Sequence, residues 1–492
     1  MKGNKHMKTV MNITHSALTL FGFVCFALSP TARAVSPAPD GGYPHGNTAE
    51  GTNALFSLTS GTTNTGLGLA ALFSLTTGSQ NTAVGANALK NNRASQNTAV
   101  GFQALLNNTS GTGNTASGAF ALLRNTTGTG NTADGVNALS SNTTGGFNTA
   151  NGVAALSRNT GGNDNTASGF QALQSNTSGS DNAAFGSGAL LENTTGHDNA
   201  ASGFGALALN TGGNNNTASG SEALSFNTIG NNNTATGSEA LFHNTAGGGN
   251  TATGVEALSG NTTGSDNTAF GDGALSNNST AGGNTAIGGD ALASNSTGNS
   301  NVAVGVAAGF NATTGSNNVY IGVGMQGVAG ESNACYVASI FGQTSTSGAA
   351  VSINSSGKLG TMISSRRFKD DIKPMGNASA ALFALKPVSF RYKKEIDPGS
   401  IPQFGLVAED VEKVNPDLIV RDREGKPYSV RYEQVNAMLL NEFLKEHGKN
   451  QEQEAMIRRL QKQVETLTAG LQKVSEQLEF KGPAPQIATN NQ

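Results

Sequence analysis

Residues 81–89 read NTAVGANAL, residues 165–173 NTASGFQAL and residues 267–275 NTAFGDGAL. Taking the Asn of each block as anchor, copies begin at 47, 64, 81, 97, 114, 131, 148, 165, 182, 199, 216, 233, 250, 267, 284, 301 and 318. The step is 17 residues everywhere except one step of 16, from Asn81 to Asn97. The unit is N-T-A-x-G-x-x-A-L-x-x-N-T-T-G-x-x. Gly holds the fifth place in all 17 copies, from Gly51 to Gly322, and Leu the ninth in the first 15, from Leu55 to Leu292. Such regularity marks a solenoid in which equivalent residues stack in rows. A pair of helices needs more than about 30 residues per repeat, so 17 suits a β-solenoid coil of short strands and tight turns. The repeated Gly marks a place that needs positive φ or close backbone approach. The Asn rows (Asn81, Asn97, Asn114; Asn92, Asn108, Asn125) are suited to amide ladders that satisfy turn backbone groups. With coils about 4.8 Å apart, 16 steps give a rod roughly 75–80 Å long.

The expected core is thin. One Leu and two or three Ala per coil bury little area at about 25 cal/mol per Å², set against the ordering entropy of a whole coil. An apolar row shared between chains would remedy this, and the expectation is a homotrimer along the rod. The alternative is a monomeric solenoid. Asp is too sparse and irregular for a calcium-binding repeat. No carboxylate pair stands out for a glycosidase cleft. No metal or cofactor site is expected. The Asn-x-Thr triplets read as turns, and the Thr row (Thr48, Thr65, Thr82) as a stacked β row rather than an ice-binding hydroxyl array.

These units look like the head repeats of trimeric autotransporter adhesins. The likeness covers 47 to about 325 and implies a three-chain bundle of parallel β-rolls. The bilayer-anchoring barrel of such adhesins has no counterpart here, and no stable membrane anchor is expected.

Outward from the repeat, the chain changes character at both ends. Overall, charged residues are only 12%, about half the usual share, and the 66 Gly are about twice it. Residues 47–325 carry 4 basic and 12 acidic side chains, and residues 364–492 carry 20 basic and 18 acidic ones. A net charge of −3 argues against a nucleic-acid partner. Lys2, Lys5 and Lys8 precede the apolar run Ala17 to Leu28, and Ala32-Arg33-Ala34 supplies small residues at −3 and −1. This reads as a secretory signal (1–34) cleaved after Ala34, so that the product is secreted or held at a bacterial cell surface. A Pro/Gly linker follows at 35–46. Cys25 leaves with the signal, and Cys335 is expected to be a buried, unpaired thiol.

After Asn318 the period is lost. VYIGVG, CYVASIFGQT and AAVSINSSGKLG read as short strands of a β-rich stem (326–363). Then comes ISSRRFKDDI at 363–372. A neutral lysine can take the proton of a serine hydroxyl, provided burial or neighbouring cations such as Arg366 and Arg367 lower its pKa. Phe390, Phe404, Leu406 and Val407 read as core strands, Glu409, Asp410 and Glu412 as a solvated helix face, and His447 as exposed. Residues 432–480 read as helix. Ile457, Leu460, Val464, Leu467, Leu471, Val474 and Leu478 form a heptad seam within a coiled coil over 447–480. Residues 481–492 read as a disordered tail.

SSRRFKDDI, ALFALKPVSFRYK, FGLVAEDVEKVNPDLIV and YSVRYEQVNAMLLNEFLKE together resemble the endosialidase-type C-terminal intramolecular chaperone, a serine–lysine autoprotease domain, over about 364–470. The resemblance implies a small α+β domain that trimerises, templates folding of the preceding fibre and cuts itself off. It places the nucleophile on Ser364, the base on Lys369 and the cut between Ile363 and Ser364. The family commonly has Asp after the serine, where this chain has Ser365.

The whole reads as a mainly β, trimeric β-solenoid fibre followed by its chaperone. The implied enzyme is a single-turnover, self-cleaving serine endopeptidase with no activity on other substrates. Its partners are further copies of itself and an unidentified cell-surface or glycan ligand. Two other readings stay open: a structural or ligand-binding fibre whose C-terminal domain trimerises without cutting, and a phage-type tail fibre.

Overall fold

The computed structural model describes residues 44–343, 348–479 and 482. The expected signal, most of the linker and nearly all of the tail lie outside the described residues. The chain divides into two units, Met1–Gln343 and Thr344–Gln492.

In the first unit, eighteen strands of three residues, β1 (Thr48–Glu50) to β18 (Cys335–Val337), stack in one parallel sheet in chain order. Equivalent residues face each other, as in Thr149↔Thr166 and Ala150↔Ala167. The register survives the 16-residue step, where Thr82 faces Thr98; the missing residue is absorbed in a turn. In each strand the middle residue, Ala in fifteen of the eighteen, points inward and its neighbours outward. The fifth-place Gly ends the strand. Its φ lies between +113° and +143°, a region that side chains disfavour. Both reasons for glycine hold, because a Cβ on Gly152 would sit 2.5 Å from the Gly169 carbonyl oxygen of the next coil.

The ninth-place Leu is the unexpected element. All 15, Leu55 to Leu292, have φ between +50° and +54°, and from Leu72 onward all are fully enclosed. A left-handed Leu costs roughly 1–2 kcal/mol, whereas burying its side chain contributes about 1.5–3 kcal/mol. Burial wins, and the turn sets the backbone so that Leu139 N–H reaches the Ala155 carbonyl of the next coil at 2.9 Å.

Two asparagine ladders complete the interior. Asn148 Nδ2 donates to Asn131 Oδ1 at 3.1 Å and to the Gly162 carbonyl at 2.9 Å, and the same Asn131 Oδ1 accepts the Asn148 backbone N–H at 3.0 Å. From the twelfth place, Asn159 Nδ2 donates to Asn142 Oδ1 at 2.8 Å and to the Gly162 carbonyl at 3.0 Å. One carbonyl thus receives both ladders. The Leu and Ala rows are therefore closed within one chain, and they are not the rows that neighbouring chains could share. The area argument for a thin core omitted these amide networks, which are fully satisfied along most of the stack.

The stack runs one coil past the expected boundary at 325. β17 (Val319–Ile321) pairs with β18, Tyr320 facing Tyr336. Ala334 stands where the anchor Asn belongs, yet its N–H still donates to Asn318 Oδ1 at 2.9 Å. The interior changes here. Gly309 replaces the ninth-place Leu, and the fully buried Tyr320 ring fills the space, stacked on Tyr336 at 5.7 Å. Tyr336 donates its hydroxyl to Glu331 Oε2 at 2.5 Å. That bond, with a smaller part from burial, pushes the phenol up to about 12. The twelfth-place ladder stops at Asn295, whose Oδ1 has no partner because Ala312 follows it. Cys335 is exposed, not buried as expected; it occupies the outward first position of β18.

In the second unit, the hairpin β19 (Val351–Ile353) and β20 (Leu359–Thr361) turns through Asn354–Gly357. β21 (Val388–Phe390) pairs with β22 (Gln403–Gly405), and β23 (Ile419–Arg421) with β24 (Pro427–Val430), both antiparallel. Helix α1 (Ala408–Val414) precedes β23, and α2 (Tyr432–Glu479) runs for 48 residues. The core is small: Val411, Leu418, Ile419, Val430 and Met438. Phe404 does not join it as expected and is 86% exposed. It pairs with Ser389 on the open face of a two-stranded sheet. Val407 is also exposed, while Phe390 and Leu406 are half-buried. Asp410 and Glu412 lie on a solvated face, paired with Lys413 at 2.9 Å and Arg421 at 2.6 Å. His447 is exposed beside Phe443. The heptad seam from Ile457 to Leu478 is 50–70% exposed in the single chain. Among the described residues, no helix is long and apolar enough to cross a membrane.

Candidate functional site

The sequence Ser364-Ser365-Arg366-Arg367-Phe368-Lys369 folds back on itself. Ser365 leads into one 3₁₀ turn, Arg366–Phe368. Its tighter i→i+3 bonding is made by Phe368 N–H to the Ser365 carbonyl at 3.0 Å and Lys369 N–H to the Arg366 carbonyl at 3.1 Å. Arg367 lies over the Phe368 ring, 4.5 Å from its centre, and ties down the turn's outer side. The reversal brings the side chains at its two ends together. Lys369 Nζ donates to Ser364 Oγ at 3.0 Å. Of the two adjacent serines, Ser364 is the one Lys369 meets. Ile363, Ser364 and Lys369 are all exposed in the single chain.

The second unit also holds two arrangements that sequence reading missed. The first is a latch. Ser379, in the 3₁₀ segment Gly376–Ala384, is fully buried against α2. Its hydroxyl donates to Glu442 Oε1, accepts from Asn441 Nδ2 at 2.6 Å and lies 3.4 Å from Lys445 Nζ. Lys445 in turn donates to Glu442 at 2.7 Å. Four residues more than 60 positions apart in part cannot be read as a cluster from one sequence. The second is a contact between the stem hairpin and the β23–β24 turn. Arg423 Nε donates to the Ser355 carbonyl at 2.8 Å, beside a cleft of about 920 Å³ lined by Lys358, Asp417, Arg421, Asp422 and Arg431. It fastens residues upstream of Ile363 to residues downstream of Ser364.

The latch has a pH signature. The Lys445 ammonium, then the Ser379 hydroxyl, hold the Glu442 carboxyl below the usual glutamate range. A carboxyl depressed on folding contributes stability above its unfolded pKa and loses it as pH falls through the folded one. Amide protection in residues 376–384, taken relative to the intrinsic exchange rate at each pH, is therefore expected to fall on acidification below the ordinary glutamate pKa. In Glu442→Gln that protection is expected to be low already at neutral pH and flat across that window. Unchanged acid dependence in the variant would assign the effect to other carboxylates.

Among the described residues, no group of three or more His, Cys, Asp or Glu is placed to hold a metal. The chemistry available at the turn is that of a hydroxyl and an amine in contact, next to the carbonyl of Ile363.

Residues 364–420 match the family model described as chaperone of endosialidase. The match begins on Ser364 and ends on Val420, short of the 470 expected from sequence. Searches of curated proteins and of solved structures found nothing that matches the chain. The C-terminal region thus carries a segment similar to a chaperone of endosialidase, preceded by a repeat-built β-solenoid.

Proposed function

We propose that residues 364–479 assemble the chain into an exported homotrimeric fibre and then sever themselves from it between Ile363 and Ser364. The observation that carries this reading is the 3.0 Å contact between Lys369 Nζ and Ser364 Oγ, at the residue where the chaperone match begins. Assembly is supported by that match and by the apolar seam of α2, which a second and third copy would cover. Export rests on the amino-terminal pattern of basic residues, apolar run and Ala32-Arg33-Ala34.

The chemistry follows from adjacency. Neutral Lys369 removes the Ser364 hydroxyl proton, and Oγ attacks the carbonyl carbon of Ile363, the residue before it. The C–N bond breaks as Lys369 returns the proton to the Ser364 nitrogen, leaving Ile363 esterified to Oγ. Water then hydrolyses the ester. The products are a fibre ending in the Ile363 carboxylate and a chaperone beginning with the free amine of Ser364. No co-reactant besides water is consumed, and each chain reacts once.

A lysine serves as base only where burial or neighbouring cations disfavour its charged form. Lys369 is exposed in the single chain. The missing cover comes from neighbouring chains, so cutting follows assembly. The second reading, a domain that trimerises and never cuts, draws on that same exposure and on Ser365 in place of the family's Asp. Mass analysis of fully assembled protein separates the two. A fragment starting at Ser364 supports cleavage; uncut chain alone in a completed trimer defeats it.

A further inference from the structure

The repeat region carries four basic side chains, and all four stand at one corner of the coil: Lys90 at the tenth place, Arg124 and Arg158 at the eleventh, and Arg93 at the thirteenth. The acidic side chains sit mainly elsewhere, with Glu222, Glu239 and Glu256 at the seventh place and Asp164, Asp181 and Asp198 at the seventeenth. Among the described residues none of the four cations is in an ion pair, and the three arginines are exposed. Arg93 and Arg124 line a groove of about 460 Å³ with Asn91, Asn107, Thr109 and Thr126. It lies at the single coil shortened to 16 residues.

We propose that this corner is a binding site for an acidic saccharide, a sugar chain bearing carboxylate or sulfate groups. The groove offers both halves of the chemistry. The guanidinium groups are fork-shaped donors matched to carboxylate or sulfate oxygens. The Thr109 and Thr126 hydroxyls already donate to the carbonyls of Thr126 and Thr143, at 2.9 Å each. Their oxygens are left as acceptors for ligand hydroxyls. Arg124 and Arg158 are two coils apart, about 9.6 Å at the usual strand spacing, close to the length of two linked sugar rings. An extended chain with one charge per disaccharide can meet successive arginines. Glu192, two coils further at the same place, closes the column with the opposite charge. A nucleic acid fits less well, because the region as a whole has 12 acidic against 4 basic side chains and repels a dense polyanion.

The site is independent of the cleavage chemistry, so its test leaves that reading untouched. Full-length protein is titrated calorimetrically at low salt with a hyaluronan tetrasaccharide (carboxylate only), a heparin tetrasaccharide (sulfate and carboxylate), neutral cellotetraose and a single-stranded DNA 12-mer. Binding of one or both acidic sugars is expected, and which one binds identifies the anion. Affinity is expected to fall about ten-fold or more in Arg93→Ala/Arg124→Ala, to persist in part in Arg93→Lys/Arg124→Lys, and to weaken with salt. Cellotetraose binding as tightly as the acidic sugars, DNA binding more tightly than either, affinity unchanged in the double alanine variant, or no binding by either acidic sugar each overturns the proposal.

Discussion

Ser364→Ala is expected to leave the assembled chain uncut, with cleavage slowed on the order of a thousand-fold or more, as loss of a serine nucleophile does elsewhere. The fragment beginning at residue 364 disappears from the mass spectrum, while the trimer forms as before. The same variant distinguishes the neighbouring hydroxyl. If Ser365 were the nucleophile, Ser364→Ala would still cut, and Ser365→Ala would not. Geometry favours Ser364, which Lys369 reaches at 3.0 Å. Lys369→Ala is expected to block cutting to a similar extent, because no other base is bonded to that hydroxyl among the described residues. Lys369→Arg keeps the charge and length but holds its proton at any working pH, so it is expected to be equally inert. A Lys369→Arg variant that cuts at the normal rate would remove lysine from the role of base.

The second large effect concerns the solenoid. In Gly186→Ala, the new Cβ lies 2.4 Å from the Gly203 carbonyl oxygen, and φ at this residue is +131°. The contact is with backbone that is itself fixed by the next coil, so neither partner can yield cheaply. The strained φ costs roughly 1–3 kcal/mol and the overpacking a similar amount. In a stack where each coil touches only its neighbours, such a break is local. The coils before and after position 186 are expected to lose their cooperation and unfold in two steps on heating instead of one, with rapid amide exchange at the junction. Ser187→Ala, one residue on, is expected to shift stability by no more than about 0.5 kcal/mol. A single unchanged transition in Gly186→Ala would mean that the coil bends to admit the methyl.

The sequence made the solenoid legible because its rows are literal: the period, the fifth-place Gly and both Asn ladders needed only counting. The extent of α2, read as 432–480, matches the helix Tyr432–Glu479 although Gly448 and Gly470 lie within it, and its C-terminal half carries the heptad seam. The Ser364–Lys369 pairing was legible through family resemblance, since Ser and Lys five apart recur by chance in most chains. What remained hidden was tertiary. Nothing in Leu139 announces a left-handed backbone; only the neighbouring coil, which takes its N–H and encloses its side chain, makes that conformation affordable. Tyr320 reads as an ordinary strand residue until Gly309 leaves a space for its ring. Phe404 reads as core because its pattern is apolar, but a two-stranded sheet covers one face. Ser379 and Glu442 meet across 63 residues, and no local signal links them. Cys335 was expected to be buried because it is a lone thiol in a chain read as exported, whereas the first position of β18 faces outward.

The in-register stack has a genetic consequence. Each coil offers the next the same surface that it receives from the one before, so a whole unit can be duplicated or lost between Asn97 and Asn284 without creating a new packing problem. Adding or removing one unit changes the rod by one strand spacing, about 4.8 Å, and leaves both ends as they were: the leucines Leu58 and Leu75 that begin the twelfth-place row, and Tyr320 with Tyr336 at the other end. Reach is therefore a quantity that this gene can vary in uniform increments while the fold is held constant.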